Sequence, residues 1–140
     1  MSVRKIPKNY IHVTGRHAAL KSADDADFES PLEAEHLLLL DHDPRVKSYL
    51  VQPVNVPVPG VHRGYVPDVL VKFHPDLDGV IATPELREVK STLDLQRNHA
   101  KYAPKFEAAH KYCEIIDWSF RVITEKEIRT PLLNNVKFIY

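Results

Sequence analysis

From Ser30 onward the apolar and polar positions follow periods that define the elements one after another. Ser30-Pro31 offers an N-cap hydroxyl followed by proline at the first helical position, and Glu33 stands three residues after Ser30 as in a capping box. A helix is therefore expected from about Pro31 to Asp41, with Asp43-Pro44 ending it. Arg45 to Val58 then carries the β-branched series Val46, Val51, Val54, Val56 and Val58. Prolines at 53, 57 and 59 restrict this stretch to an edge strand or a twisted ribbon. After a turn at Gly60, Tyr65 to Phe73 reads as a second strand; beyond His74-Pro75-Asp76 and Gly79, Leu86 to Ser91 reads as a third.

A longer helix is expected from about Asp94 to Ile116, with Leu95, Ala100, Ala103, Phe106, Ala109 and Cys113 as its apolar stripe. Pro104 is expected to kink it or divide it in two. Phe120 to Thr124 gives a fourth strand, Thr124 with Glu127 caps a short helix reaching Arg129, and Pro131 to Tyr140 adds one more helix or strand. The first segment, Met1 to Asp27, mixes Pro7, Gly15 and basic residues with the polar run Ser22 to Asp27, and reads as an arm or short strand followed by a loop. The order helix, three strands, helix, strand, helix defines an α/β protein with a small mixed sheet flanked by helices. Residues 1–27 form the arm and 28–140 a single domain.

Composition narrows this picture without changing it. A chain of 140 residues that is 44% hydrophobic supplies one core of ordinary size. Lys and Arg together number 19 and Asp and Glu 19, so any contact with nucleic acid must come from local basic patches. Cys113 is the sole cysteine, which excludes an intrachain disulfide and a cysteine-based zinc site and fits a reducing cytoplasm. Leu37 to Leu40 is the longest apolar run, far below the roughly 20 residues of a membrane span, and the basic first ten residues lead into no apolar signal region. A cytoplasmic protein without a membrane partner is expected.

Asp68 lies among Val66, Val69, Leu70 and Val71, in the expected second strand, and Glu88-Val89-Lys90 follows twenty positions later in the third. Alternation along a strand turns Glu88 and Lys90 to one face and Val89 to the other. If the two strands pair, Asp68 and Glu88 converge and can share a hard divalent cation such as Mg²⁺, which prefers oxygen ligands. Phosphodiester hydrolysis needs an activated water and a stabilised transition-state charge and leaving oxygen, all within reach of such a cation, with Lys90 orienting the water or neutralising the phosphate. Glu33, from the preceding helix, would complete a ligand set or hold a second metal. Each residue has an ordinary alternative: Glu-x-Lys is a common solvated strand face, Pro-Asp a common turn, and Glu33 a capping residue. An acid in so apolar a strand is costly unless paired or metal-bound, and that cost points to a site.

These residues resemble the PD-(D/E)XK nuclease superfamily, and more closely the N-terminal catalytic domain of TnsA-like transposon endonucleases. The resemblance runs through Phe28 to Glu33, Leu40 to Pro44 with Val46, Gln52-Pro53, Tyr65 to Asp68, Glu88 to Ser91, Phe120 to Glu125 with Glu127-Ile128, and Pro131 to Asn134. It implies a restriction-endonuclease-like core, catalytic residues Glu33, Asp68, Glu88 and Lys90, metal binding through Asp68, Glu88 and Glu33, and Mg²⁺ as cofactor with Mn²⁺ substituting. It also implies DNA as substrate, cut on the 5′ strands at transposon ends, beside a TnsB-like DDE transposase that handles the 3′ strands. The family's second ligand position can be glutamine, where this chain has Glu88. Many TnsA proteins carry a further C-terminal winged-helix-like domain, which is not expected here. A stand-alone phage or mobile-element nuclease, or a non-catalytic interaction module with the nuclease fold, therefore stays open, as does assembly into a homo-oligomer.

Arg97, Lys101 and Lys105, at four-residue spacing, would share one helix face and with Arg16, Arg4, Lys5 and Lys8 are the candidates for phosphate contact. A solvated helix face explains the first three equally well. His36, His42, His99 and His110 do not fall at a compact metal-ligand spacing, so packing or surface roles are expected. His74-Pro75-Asp76 with Asp78 reads as a polar turn, and Gln52 either approaches the metal site or bonds backbone.

Overall fold

The computed structural model describes residues 10–13 and 30–139. Among them run β1 (Tyr10–Val13), α1 (Pro31–His42), β2 (Val46–Val51), β3 (Val56–Val58), β4 (Val61–Tyr65), β5 (Val69–Phe73), β6 (Glu85–Val89), α2 (Thr92–Arg97), α3 (His99–Ile116), β7 (Ser119–Ile123), α4 (Glu125–Ile128) and α5 (Pro131–Ile139). A five-stranded sheet has the order β1-β2-β5-β6-β7, and β3 and β4 form a separate two-stranded ribbon. The sheet is antiparallel from β1 to β6, and β7 joins β6 in parallel. A parallel neighbour requires a crossover, which α2 and α3 supply.

Local chemistry sets the boundaries. Ser30 caps α1, its Oγ accepting the Glu33 N–H at 3.1 Å, with Pro31 where a missing N–H costs nothing. Thr124 and Glu127 form the reciprocal capping box of α4 that the sequence predicts. The expected strand over Arg45 to Val58 divides into β2 and β3, because Gln52 adopts φ 50° and Pro53 follows. The expected strand over Tyr65 to Phe73 also divides: Tyr65 ends β4, Asp68 sits in a bend, and β5 begins at Val69. Gly64 at φ +71° turns the ribbon, and a Cβ there would lie 2.8 Å from the Val56 carbonyl. The long helix breaks at Asn98, not at Pro104. The Asp94 carboxylate binds the Asn98 side chain while the Asn98 carbonyl starts α3, which leaves Pro104 only a turn into the new helix.

The buried stripe of α3 is accordingly Tyr102, Ala109 and Cys113, with Phe106 partly buried between them, while Ala100 and Ala103 are exposed. Ala109 and Cys113, with Phe106, pack with Leu86, Leu70 and Phe120 on one face of the sheet, along with Val56, Val58 and Tyr65 of the ribbon. On the opposite face Leu37 and Leu40 of α1 cover β2 and β5, and Leu32 joins Val89, Ile123, Ile128 and Leu133. The sheet is thus covered on both sides, as an α/β protein requires. At one end of the sheet residues 74–84 connect β5 to β6 through an exposed turn that carries Leu77, Val80 and Ile81 to the surface and in which Asp76 Oδ1 accepts the N–H groups of Asp78 and Val80, each at 2.9 Å. No helix of the described residues is long and apolar enough to cross a membrane.

Candidate functional site

At the other end of the sheet β5 begins, and β6 runs antiparallel to it, so the start of one lies beside the finish of the other. The register pairs Val69 with Arg87, and one step further brings Asp68 opposite Glu88. Each carboxylate bonds the other residue's strand. The Asp68 N–H donates to Glu88 Oε1 at 3.1 Å, and the Val89 N–H donates to Asp68 Oδ2 at 2.6 Å. Gln52, held in the left-handed region, donates its N–H to the Asp68 carbonyl at 2.8 Å and fixes the bend from the β2 side. Its position beside Asp68 is therefore a backbone matter.

The polar and charged residues buried among those described are Glu33, His36, Asp68 and Glu88. Burial and then the Asp68 charge push the Glu88 carboxyl well above the ordinary carboxylate range, against the pull of Lys90. Lys90 follows β6 by one residue and its Nζ lies 3.8 Å from Glu88 Oε2. Burial works against the Lys90 charge, but Glu88 and Asp68 outweigh it and raise its pKa. The Tyr65 hydroxyl is held protonated by burial and by the same two acids. Glu33 lies on the first turn of α1, next to Leu32, which packs on Val89, so it occupies the same end of the sheet. Among the described residues no three His, Cys, Asp or Glu side chains converge as a metal-binding set. The donor pair that the geometry offers is Asp68 and Glu88. Glu88 Oε1 and Asp68 Oδ2 each accept a backbone N–H, and two carboxyl groups meeting in a buried site are the oxygen donors that a hard cation prefers.

Around Lys90 lie groups that sequence reading did not single out. Tyr102 of α3 presents its ring 5.1 Å from the Lys90 ammonium, and its hydroxyl donates to both oxygens of Asp94, at 3.0 and 2.9 Å. Ser91 caps α2 through the Asp94 N–H, and Glu125 accepts from the N–H and hydroxyl of Thr92. A legible signal existed for Asp94 in the Ser91-x-x-Asp94 spacing of an N-cap, and for Tyr102 in its position four residues before Phe106.

Of the expected DNA contacts, Arg97 ends α2 while Lys101 and Lys105 belong to α3. The break at Asn98 takes Arg97 off their helix, so the three do not form one continuous helix face. Arg97 and Lys101 are exposed and Lys105 is half-buried. Arg16, Arg4, Lys5 and Lys8 lie outside the described residues.

Three histidines make side-chain contacts within the fold. His110 sets its ring edge-on to Phe120 at 5.0 Å, and His42 Nδ1 meets the Leu38 carbonyl at 3.0 Å. His36 is buried on the opposite face of β6, where Arg87 Nη1 donates to its Nε2 at 3.1 Å and Glu85 binds Arg87 in turn. Burial first, then Arg87, lowers the His36 pKa to about 3 from its ordinary 6.5. The unfolded chain then binds a proton between those values that the folded chain refuses, so this residue's contribution is complete above pH 6.5 and fades as pH falls towards about 3. Urea midpoints measured between pH 4 and 7 should fall more steeply with acid in the wild type than in His36→Gln, by up to about 1.4 kcal/mol per pH unit. Parallel curves would show that His36 is not held neutral.

A mixed sheet covered by helices on both faces, with an acid pair and a lysine gathered where β5 starts and β6 ends, defines a restriction-endonuclease-like α/β fold. The family model described as TnsA-like endonuclease N terminal matches residues 43–125, more than half of the chain. The chain belongs to that family, whose domain is that of a nuclease related to transposition. The matched span includes Asp68, Glu88 and Lys90 and excludes Glu33. No curated protein matches the chain.

Proposed function

We propose that the chain hydrolyses phosphodiester bonds of DNA as a divalent-metal-dependent endonuclease, with Asp68 and Glu88 holding Mg²⁺ or Mn²⁺. The reciprocal bonding of Asp68 and Glu88 across β5 and β6 is the observation that carries this reading. A pair so locked is preorganised, and a cation held there would offset the cost of burial and of the neighbouring Asp68 charge that raises the Glu88 pKa. A cation bound there would supply an activated water and neutralise charge on the transition-state and leaving oxygens. Lys90, beside Glu88, orients that water and meets the charge growing on the phosphate. Glu33, on the adjoining turn of α1, is the proposed third acid, and its part rests on the family resemblance more than on contacts. Exposed Arg97 and Lys101, with Lys105 and Arg16, are the proposed phosphate contacts. The biological reaction proposed is cleavage of the 5′ strands at transposon ends beside a TnsB-like DDE transposase.

Supercoiled plasmid incubated with the protein and Mg²⁺ or Mn²⁺, alone and with a candidate transposase, should be nicked in a manner abolished by EDTA. Intact plasmid in every arm, or nicking that persists in EDTA, overturns the reading. Nicking only with the transposase present supports the transposition role specifically.

A further inference from the structure

We propose that Tyr102 is the positioning residue of Lys90, holding its ammonium where Glu88 and the reacting phosphate can share it and tying it to Lys101 on the DNA-facing side. This rests on the nuclease reading of the site. Lysine has a long flexible stem, and an ammonium facing two carboxylates has several ways to point. From the helical layer the Tyr102 ring faces it. The Tyr102 ring centroid lies 5.1 Å from Lys90 Nζ and 5.6 Å from Lys101 Nζ, both within the roughly 6 Å over which an aromatic face attracts a cation. One ring thus engages the cation at the end of β6 and a cation on the exposed side of α3.

The ring itself is fixed. Tyr102 is buried, stacks on Phe106 at 5.5 Å with planes 15° apart, and has its hydroxyl anchored by both oxygens of Asp94. Asp94 is itself held by the Asn98 amide at 2.6 Å, and its N–H by the Ser91 cap at 3.1 Å. Ser91 directly follows Lys90, so the strand end and the ring that meets its lysine are tied through a single short turn. The break of the helix at Asn98 is what sets α3 at the start it has, with Tyr102 in its first turn.

The ring makes a measurable mark independent of cleavage. Protons over an aromatic face are shifted upfield, so the Lys90 ε-methylene of ¹³C-lysine-labelled protein, assigned by its loss in Lys90→Arg, should resonate upfield of exposed lysines. Tyr102→Phe keeps the ring and should keep that shift; Tyr102→Leu should abolish it. In plasmid nicking, Tyr102→Leu should lower kcat on the order of tenfold, more than it raises KM for DNA through Lys101, and Tyr102→Phe should lose much less. An ordinary Lys90 ε shift in the wild-type protein overturns the proposal, and needs no variant to fold. So does a Tyr102→Leu protein that melts cooperatively yet cleaves as well as Tyr102→Phe. A wild-type protein with the upfield shift and no cleavage under any metal condition overturns the nuclease reading and with it the catalytic purpose of the contact, while leaving the contact itself standing.

Discussion

Asp68→Asn is expected to abolish metal-dependent nicking while leaving the fold as stable at neutral pH as the wild type, or more so. Asparagine keeps a side-chain oxygen to accept the Val89 N–H, so the lock between β5 and β6 survives. What it loses is a negative charge. On the proposed reading that charge is half of the cation's donor pair, and its loss costs several kcal/mol of transition-state stabilisation, a factor on the order of 10² or more in rate. For stability the sign is opposite. Glu88, whose pKa is raised in the folded state, holds a proton that the unfolded chain releases, so the wild-type fold loses stability as pH rises above the ordinary glutamate range. Removing Asp68 removes the second of the causes of that shift. Urea midpoints at pH 7.5, read beside nicking rates, check both halves, and nicking within tenfold of wild type would show that Asp68 is not a metal ligand.

Leu86→Ala is expected to cost about 2–5 kcal/mol, the usual range for emptying a buried leucine site. Leu86 is fully buried in the middle of β6, between Leu70 of β5 and Phe120 of β7, under Ala109 and Cys113 of α3. Domains of this kind are stable by only about 5–15 kcal/mol, so the loss is a large share of the whole. Because β6 also carries Glu88, the variant should lose nicking at the temperature where it unfolds rather than at every temperature. Denaturant and thermal melts measure the effect, and a loss below about 1 kcal/mol would mean that the core around β6 repacks.

The sequence revealed the elements whose chemistry is local. Ser30-Pro31 and Thr124 with Glu127 mark helix starts through hydrogen bonds made within three residues, and both helices begin there. What it concealed depends on distant partners. The bend at Asp68 exists because Gln52, sixteen residues earlier, donates to its carbonyl, and no period within residues 65–73 reveals that bond. Proline's missing N–H places the helix break at Pro104, yet Asn98 breaks the helix because its side chain and carbonyl are used by Asp94 and α3. The acids and lysine of the site were legible because strand alternation places Glu88 and Lys90 together wherever β6 packs. Tyr102 was not, since its meeting with Lys90 depends on where the second helix restarts. His36, Arg87 and Glu85 were hidden for the same reason, drawn together from α1 and β6.

The connection between β5 and β6 leaves the sheet at the end opposite Asp68 and Glu88, and its turn is closed by Asp76 on its own backbone. The twenty positions between the two acids are therefore counted out by a remote loop, while their meeting is decided by pairing at the near end. A related chain with a longer or shorter loop would bring the same two carboxylates together. Searches that demand a fixed interval between the aspartate and the Glu-x-Lys triplet would pass over it, whereas searches that ask for two adjoining antiparallel strands would not.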